Sequence, residues 1–329
     1  MSETQAVKPN KMNIAVMVPT LSHSVEYSFT LGLQSCLPVD QYNIIYLPLG
    51  WIDANNAGNG QAALLHKALR FSDLHGILIY GAGITNRVKP EYISEITDCY
   101  PNVPIINIGN RIPDLASVII DNRTPFRQFA YHLVKNKGCS RIAFVRGPDD
   151  NYDANERYAG FKEGLMECGQ SLNPAYDWPG QFSIGSGSLA VQHHFFKADQ
   201  PPQAIVCAND LSAIGVLTQL IEMGVKVPED CLVIGFDDLD YSKVIPVPLS
   251  SGRYPVFDLG AVAAKLLIDW LQGSAPAAIT EISSSVIFRQ STDDDGDPRS
   301  QLALLLKDER AFYSRDSNSD RLHINRAIS

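Results

Sequence analysis

From Asn13 onward, short apolar runs alternate with longer stretches whose apolar residues recur every three to four positions. The short runs are Asn13–Pro19, Tyr42–Pro48, Gly76–Tyr80, Pro104–Ile108, Ser117–Asp121, Arg141–Arg146, Ala204–Ala208 and Cys231–Phe236. They are apolar almost throughout, as expected for strands buried on both faces of a parallel sheet. The longer stretches, Gln61–Phe71, Phe126–Lys137, Arg157–Cys168, Leu211–Met223 and Val256–Leu271, carry the helical period. Strand–helix alternation of this kind predicts an α/β protein with doubly wound sheets. So many strands require two sheets. The first runs from Asn13 to about Asp121 and the second from Arg141 onward, with the units from Arg253 to Phe288 shared between them. After Gln290 the texture changes. Asp293-Asp294-Asp295-Gly296-Asp297-Pro298 is an acidic, turn-forming break, Gln301–Phe312 reads as a short helix, and Tyr313–Ser329 is polar and charged.

Composition narrows the function classes. The chain of 329 residues is 45% hydrophobic and 19% charged, which suits two medium-sized units each with its own core. Its net charge of −9 disfavours nucleic acid as a partner, since phosphate binding needs a basic face. No apolar run reaches the length of a membrane span, and the polar Met1–Lys11 segment lacks the apolar stretch of a signal peptide. The six cysteines have neither CxxC nor Cys/His ligand spacing, which points to a reducing, cytoplasmic setting without a disulfide framework or metal site. There is no Gly-x-Ser-x-Gly elbow and no GxGxxG, so no enzyme or cofactor is expected and no catalytic residue is assigned.

Six segments, in order, carry a specific likeness. Ile119-Ile120-Asp121-Asn122 ends a strand. Gly138-Cys139-Ser140-Arg141-Ile142-Ala143-Phe144-Val145 opens the next, and Arg157-Tyr158-Ala159-Gly160-Phe161 reads RxxGF. Ala204-Ile205-Val206-Cys207-Ala208-Asn209-Asp210 is a strand running into a helix cap, and Pro228-Glu229-Asp230 leads to Val233-Ile234-Gly235-Phe236-Asp237-Asp238. Pro248-Leu249-Ser250-Ser251 with Leu259-Gly260 completes the set. Together, over Asn13 to Gln290, they resemble the ligand-binding core of LacI/GalR-type repressors, itself similar to periplasmic sugar-binding proteins.

The resemblance implies two parallel-sheet lobes of the periplasmic binding protein type 1 kind joined by three crossover strands. One lobe comprises residues 13–122 and 253–281, the other 123–252 and 282–292, and residues 293–329 form a linker. It also implies a homodimer that takes a polar small molecule (a sugar, nucleoside or purine, or related metabolite) in the cleft between the lobes. The first strand begins almost at once, where those repressors carry a helix-turn-helix. The reading put first is therefore a cytoplasmic sensor module for a C-terminal output domain such as a GGDEF diguanylate cyclase or a kinase. The alternatives are a substrate-binding protein without its signal peptide and a transcriptional regulator core without its DNA-binding domain.

The candidate ligand residues each have a bland counterpart. Arg157 offers a planar fork for hydroxyls or a carboxylate, or is a surface arginine paired with Glu156. Asn209 faces the ligand by the resemblance, with Asp210 supporting it, although either residue could simply cap the following helix. Asp237 ends an apolar strand at the carboxyl edge where open α/β sheets bind ligands, or serves as a turn residue beside Asp238. Phe182 is an aromatic platform or core packing. In the first lobe the candidates are Ser22 and His23 in the loop after the first strand, Tyr27 as an aromatic wall, Tyr80 before the glycine-containing Gly81-Ala82-Gly83, and Asn110. Tyr254 completes the set. Gly109 stands where sugar-responsive relatives commonly carry an acidic residue, so the ligand need not be a simple hexose.

Overall fold

The computed structural model describes residues 11–21, 24–49, 73–84, 93, 97–197 and 200–292. In chain order the elements are β1 (Met12–Val18), α1 (Ser24–Cys36), β2 (Tyr42–Pro48), β3 (Leu74–Ile79), β4 (Ile105–Ile108), β5 (Ala116–Ile120), α2 (Arg123–Tyr131), β6 (Ile142–Val145), α3 (Tyr152–Glu167) and β7 (Asp177–Trp178). They continue with α4 (Ile184–His193), β8 (Ala204–Cys207), α5 (Asp210–Glu222), β9 (Leu232–Asp237), β10 (Ser250–Arg253), α6 (Val256–Leu271), β11 (Ile279–Ile282) and β12 (Ser285–Ile287). All eight apolar runs are strands. The expected helix Gln61–Phe71, Ser22, His23 and the segment from Asp293 lie outside the described residues.

The chain divides into two compact units. Unit 1 takes residues 1–120 and 255–282, and unit 2 takes residues 121–254 and 283–329. The unit-1 sheet has the order β11-β5-β4-β3-β1-β2, and every pairing in it is parallel. Its central strands are shut off from water on both faces: Ile14 to Val18 and Ile77 to Ile79 have no exposed surface. That is why they read as unbroken apolar runs instead of alternating.

The unit-2 sheet has the order β12-β10-β9-β8-β6-β7, parallel except for the antiparallel pair β10–β12. Chain order reverses at β6, which lies between β7 and β8. The carboxyl ends of β6 and β8 thus form the crevice where doubly wound sheets bind ligands. Below them Phe126 of α2 packs on Phe129, Phe144 and Phe236 with ring centroids 5.2, 5.9 and 5.4 Å apart. This aromatic cluster supports the β9 end of the sheet from beneath.

Periodicity did not announce α1 or α4. The α4 sequence Ile-Gly-Ser-Gly-Ser-Leu-Ala-Val-Gln-His is poor in helix formers and rich in glycine and serine. Ser183 caps it, its hydroxyl accepting from Ser186 N–H at 3.2 Å. Tertiary packing supplies the rest: α4 lies so close to α5 that a Cβ on Gly187 would run into the Ser212 carbonyl. Gly187→Ala is expected to destabilise unit 2 by about 1–3 kcal/mol, even though alanine is the better helix former, because the helices must part. Urea unfolding checks this. A stabilised variant would mean that propensity outweighs packing here.

Candidate functional site: the carboxyl edge of the unit-2 sheet

Four loops meet at the carboxyl edge of the unit-2 sheet, and they bring Arg157, Phe182, Asn209, Asp237 and Tyr254 together. Arg157 lies on α3 and is only 3% exposed. It is not the surface arginine of the bland reading. Glu156 instead receives Arg123 at 2.8 Å. The Arg157 guanidinium donates from Nε to Asn122 Oδ1 at 2.9 Å and from Nη1 to the Ala208 carbonyl at 2.9 Å. Its Nη1 also stands 3.7 Å from Asp237 Oδ1. Its plane lies over the Phe236 ring at 4.1 Å, with Phe182 and Tyr254 at 5.9 and 6.0 Å. Among the described residues Nη2 takes no hydrogen-bond partner. A buried, oriented fork with one arm unspent is a ready donor pair for an oxygen-rich ligand.

The acidic residues divide by environment. Asp210 is buried, and both of its oxygens are engaged. Oδ1 accepts from Ser251 Oγ at 2.7 Å, and Oδ2 from Ser242 Oγ at 2.8 Å and Leu239 N–H at 3.0 Å. Burial raises its pKa, partly offset by those three donors. Gly235 makes room for this carboxylate, since a Cβ there would collide with Asp210 Oδ1. The pair Asn209-Asp210 therefore splits. Asn209 caps α5 through Ser212 N–H at 3.0 Å and donates to the Phe182 carbonyl at 3.3 Å, whereas Asp210 is a clamp on the loop after β9.

That clamp matters because the loop is strained. Asp237 has φ 124° and Asp238 φ 54°; Phe182, across the site, has φ 54°. Three of the four non-glycine residues with positive φ among the described residues thus sit here. Such conformations cost about 1–3 kcal/mol each and survive only where surroundings over-determine them, commonly at ligand sites. Asp237 keeps 25% of its side chain open. Desolvation pushes its pKa up to about 8, with Asp210 and Asp153 adding to the rise and Arg157 opposing it. Asp153, held by Asn122 at 2.9 Å, is likewise raised by burial, against Arg157 and Asn122. Sequence reasoning missed Asn122 and Asp153. Asn122 belongs to one of the segments that carry the resemblance, as a strand end and not for its amide, and Asp153 has no pattern to mark it.

In unit 1 the expected residues scatter. Tyr27 on α1 is 61% exposed. Tyr80 is buried and stacked on Phe29 at 4.9 Å, and so forms part of the packing. Asn110 is buried and accepts from Asn107 Nδ2 at 3.1 Å.

Residues 131–292 match the family model described as a periplasmic binding protein-like domain. The HTH-type transcriptional repressor CytR of Escherichia coli is 34% identical over 195 residues, which cover 58% of this chain and 57% of that protein. The chain thus spans little more than half the length of that relative. Catabolite control protein A of Priestia megaterium is 27% identical over 289 residues, 85% of this chain and 81% of that one. The solved LacI family transcriptional regulator from Mycobacterium smegmatis superposes with a TM-score of 0.71 at 25% identity, covering 85% of this chain and 98% of that one. The first and third of these are named as a transcriptional repressor and a transcriptional regulator, and none of the three as a diguanylate cyclase or kinase. Weight therefore moves from the sensor of a GGDEF-type output, which the sequence reading put first, to its regulator alternative. Among the described residues no helix is long and apolar enough to cross a membrane. The chain has two parallel-sheet α/β units of the periplasmic binding protein type 1 fold, its residues 131–292 match the model of a periplasmic binding protein-like domain, and it is similar in sequence and fold to a transcriptional repressor and a LacI family transcriptional regulator.

Proposed function

We propose that this chain is the effector-binding core of a transcriptional regulator and that the carboxyl edge of the unit-2 sheet grips a polar small molecule. In this reading the free arm of Arg157, together with Asp237 and Asn209, takes the ligand's hydroxyl or carbonyl groups, and Phe182 and Tyr254 wall its apolar face. The observation that carries it is Arg157 itself: a buried guanidinium, locked by Asn122 and Ala208, whose Nη2 remains without a partner among the described residues. Burying a charge costs free energy and contributes little to stability by itself, so a ligand role accounts for its placement better than packing does. The carboxylate of Asp210 is spent on Ser251, Ser242 and the Leu239 N–H in support of the loop, and the reading is binding.

A thermal-shift screen against mono- and disaccharides, nucleosides, purines, sugar phosphates and small organic acids tests this. A true effector at a hundred times its Kd adds about 2.7 kcal/mol to stability. The expected hit is a neutral polar compound. Silence across the panel would overturn the reading.

A further inference from the structure

Asp238 is the residue next to the candidate ligand carboxylate, and its side chain is 3% exposed yet faces three cations. Arg289 Nη2 reaches Asp238 Oδ1 at 2.6 Å, while Arg253 Nε and Lys243 Nζ stand 3.1 and 3.7 Å from Oδ2. The Asp238 backbone N–H donates to Ser251 Oγ at 3.1 Å, and Ser251 Oγ in turn bonds to Asp210. The 237–239 turn is thereby held from both sides.

The two arginines are placed where the chain leaves the unit-2 sheet. Arg253 ends β10, two residues before the chain passes into unit 1 at Pro255. Arg289 follows β12, donates from Nη1 to the Leu249 carbonyl at 2.7 Å, and gives its backbone N–H to Ser250 Oγ at 2.7 Å. It opens the Gln290–Thr292 turn, in which Ser291 Oγ donates to the Val233 carbonyl at 2.6 Å and Thr292 Oγ1 lies 2.7 Å from Ser250 Oγ. One buried carboxylate joins three segments far apart in sequence.

We infer that Asp238 is the positioning residue of the ligand turn, holding Asp237 in its strained conformation and tying it, through Arg253 and Arg289, to the end of β10 and to the turn after β12. A ligand that moves Asp237 therefore moves Arg253 at the end of β10 and the Gln290–Thr292 turn. The inference rests on the effector reading above, and its test uses no ligand, so the two can fail separately.

The test is hydrogen exchange with carbon-13 NMR titration of Asp237 on the whole chain. In Asp238→Asn, where asparagine tolerates φ 54°, the amides of residues 238–239, 251–253 and 289–292 should exchange faster together. The gain should be at least about tenfold, the scale of one lost charge-assisted bond, while β6 and β8 stay unchanged. Arg289→Met should speed exchange at 238–239 from the opposite end.

The titration separates positioning from plain charge loss. Around Asp237 the charged neighbours are Arg157 and Asp153 on α3, Asp210 on α5, and Arg253, its register partner on β10. Removing a cation by Arg289→Met would by charge alone raise the Asp237 pKa. Release of the turn into water lowers it, and that is the expected result. Should Arg289→Met not fold, Arg253→Gln, at a half-exposed side chain, is expected to shift the titration in the same downward direction. An Asp237 titration that rises or stays put, or exchange that changes at 238–239 alone, overturns the inference.

Discussion

Arg157→Met should lower the stability of unit 2 by about 3–5 kcal/mol, the usual result of removing one partner from a buried charge cluster. The loss has two parts. Asn122 Oδ1 and the Ala208 carbonyl lose their donor, and a buried acceptor left unmet costs about 1–3 kcal/mol. Asp153 and Asp237 lose the cation that opposes their rise in pKa. The second part gives the effect a pH signature. Below its folded value of about 8 Asp237 is protonated and needs no counter-charge, so the destabilisation should shrink toward acid pH and grow as pH rises through about 8. Denaturant unfolding read by Trp178 fluorescence, with Trp51 and Trp270 replaced by Phe, reports on unit 2 alone. A pH-independent loss would place the cost in packing against Phe236, not in charge.

Asp237→Asn should do the opposite to the fold while abolishing the ligand response. The carboxyl has a folded-state pKa of about 8 against an ordinary 3.8. A raised acid contributes its full stability below its unfolded pKa and loses it as pH rises through the folded value. The penalty therefore builds between about pH 4 and pH 8. The full shift would correspond to about 6 kcal/mol; with a quarter of the side chain still open to water, about 1–3 kcal/mol is the expected gain for asparagine at pH 8. At pH 4 the gain should vanish. Asparagine has nearly the shape of aspartate, so φ 124° is no more strained than before and the turn need not rearrange.

This variant makes the cleaner ligand test. Loss of a thermal shift in Arg157→Met is confounded with a weakened fold, whereas loss in a stabilised Asp237→Asn is not. Stability gained by removing a group that binding requires is the signature of a functional site. If the variant gained stability and still responded fully to an effector, Asp237 would be a strained turn residue and the grip would lie elsewhere. The double variant Arg157→Met/Asp237→Asn should cost less than the sum of its parts, because the charge that Arg157 opposes has been removed.

Much of the fold was legible because burial on both faces leaves its mark on every residue of a strand. The eight apolar runs became β1 to β6, β8 and β9, and Val256–Leu271 became α6 without a residue of difference. The π-helical turn His132–Asn136, which prolongs α2 to the end of the expected Phe126–Lys137 helix, could not be foreseen. Neither could α1 or α4, since a helix built from glycine and serine depends on a neighbour for its stability. The short strands β7, β10, β11 and β12 are two to four residues long, too brief to show a period.

The sequence by itself determined the α/β class, the two-sheet organisation, the ordered motifs that resemble LacI-type cores, and the place of Asp237 at the carboxyl end of an apolar strand. Local patterns carry these because each follows from which faces of a strand are buried and from what ends it. Only the tertiary structure decided what each polar group does. Asp210, Asp237 and Asp238 are indistinguishable as letters, yet one is a saturated clamp, one a strained and partly open carboxyl, and one a buried anchor for Arg253 and Arg289. Arg157 rather than Arg123 became the buried cation, and Tyr80 joined the packing on Phe29. A charged side chain's role depends on the solvent it loses and the partners it gains. Both come from segments far away in the chain, as Asp237 is from Arg157 and Arg289 is from Asp238, which no local pattern records.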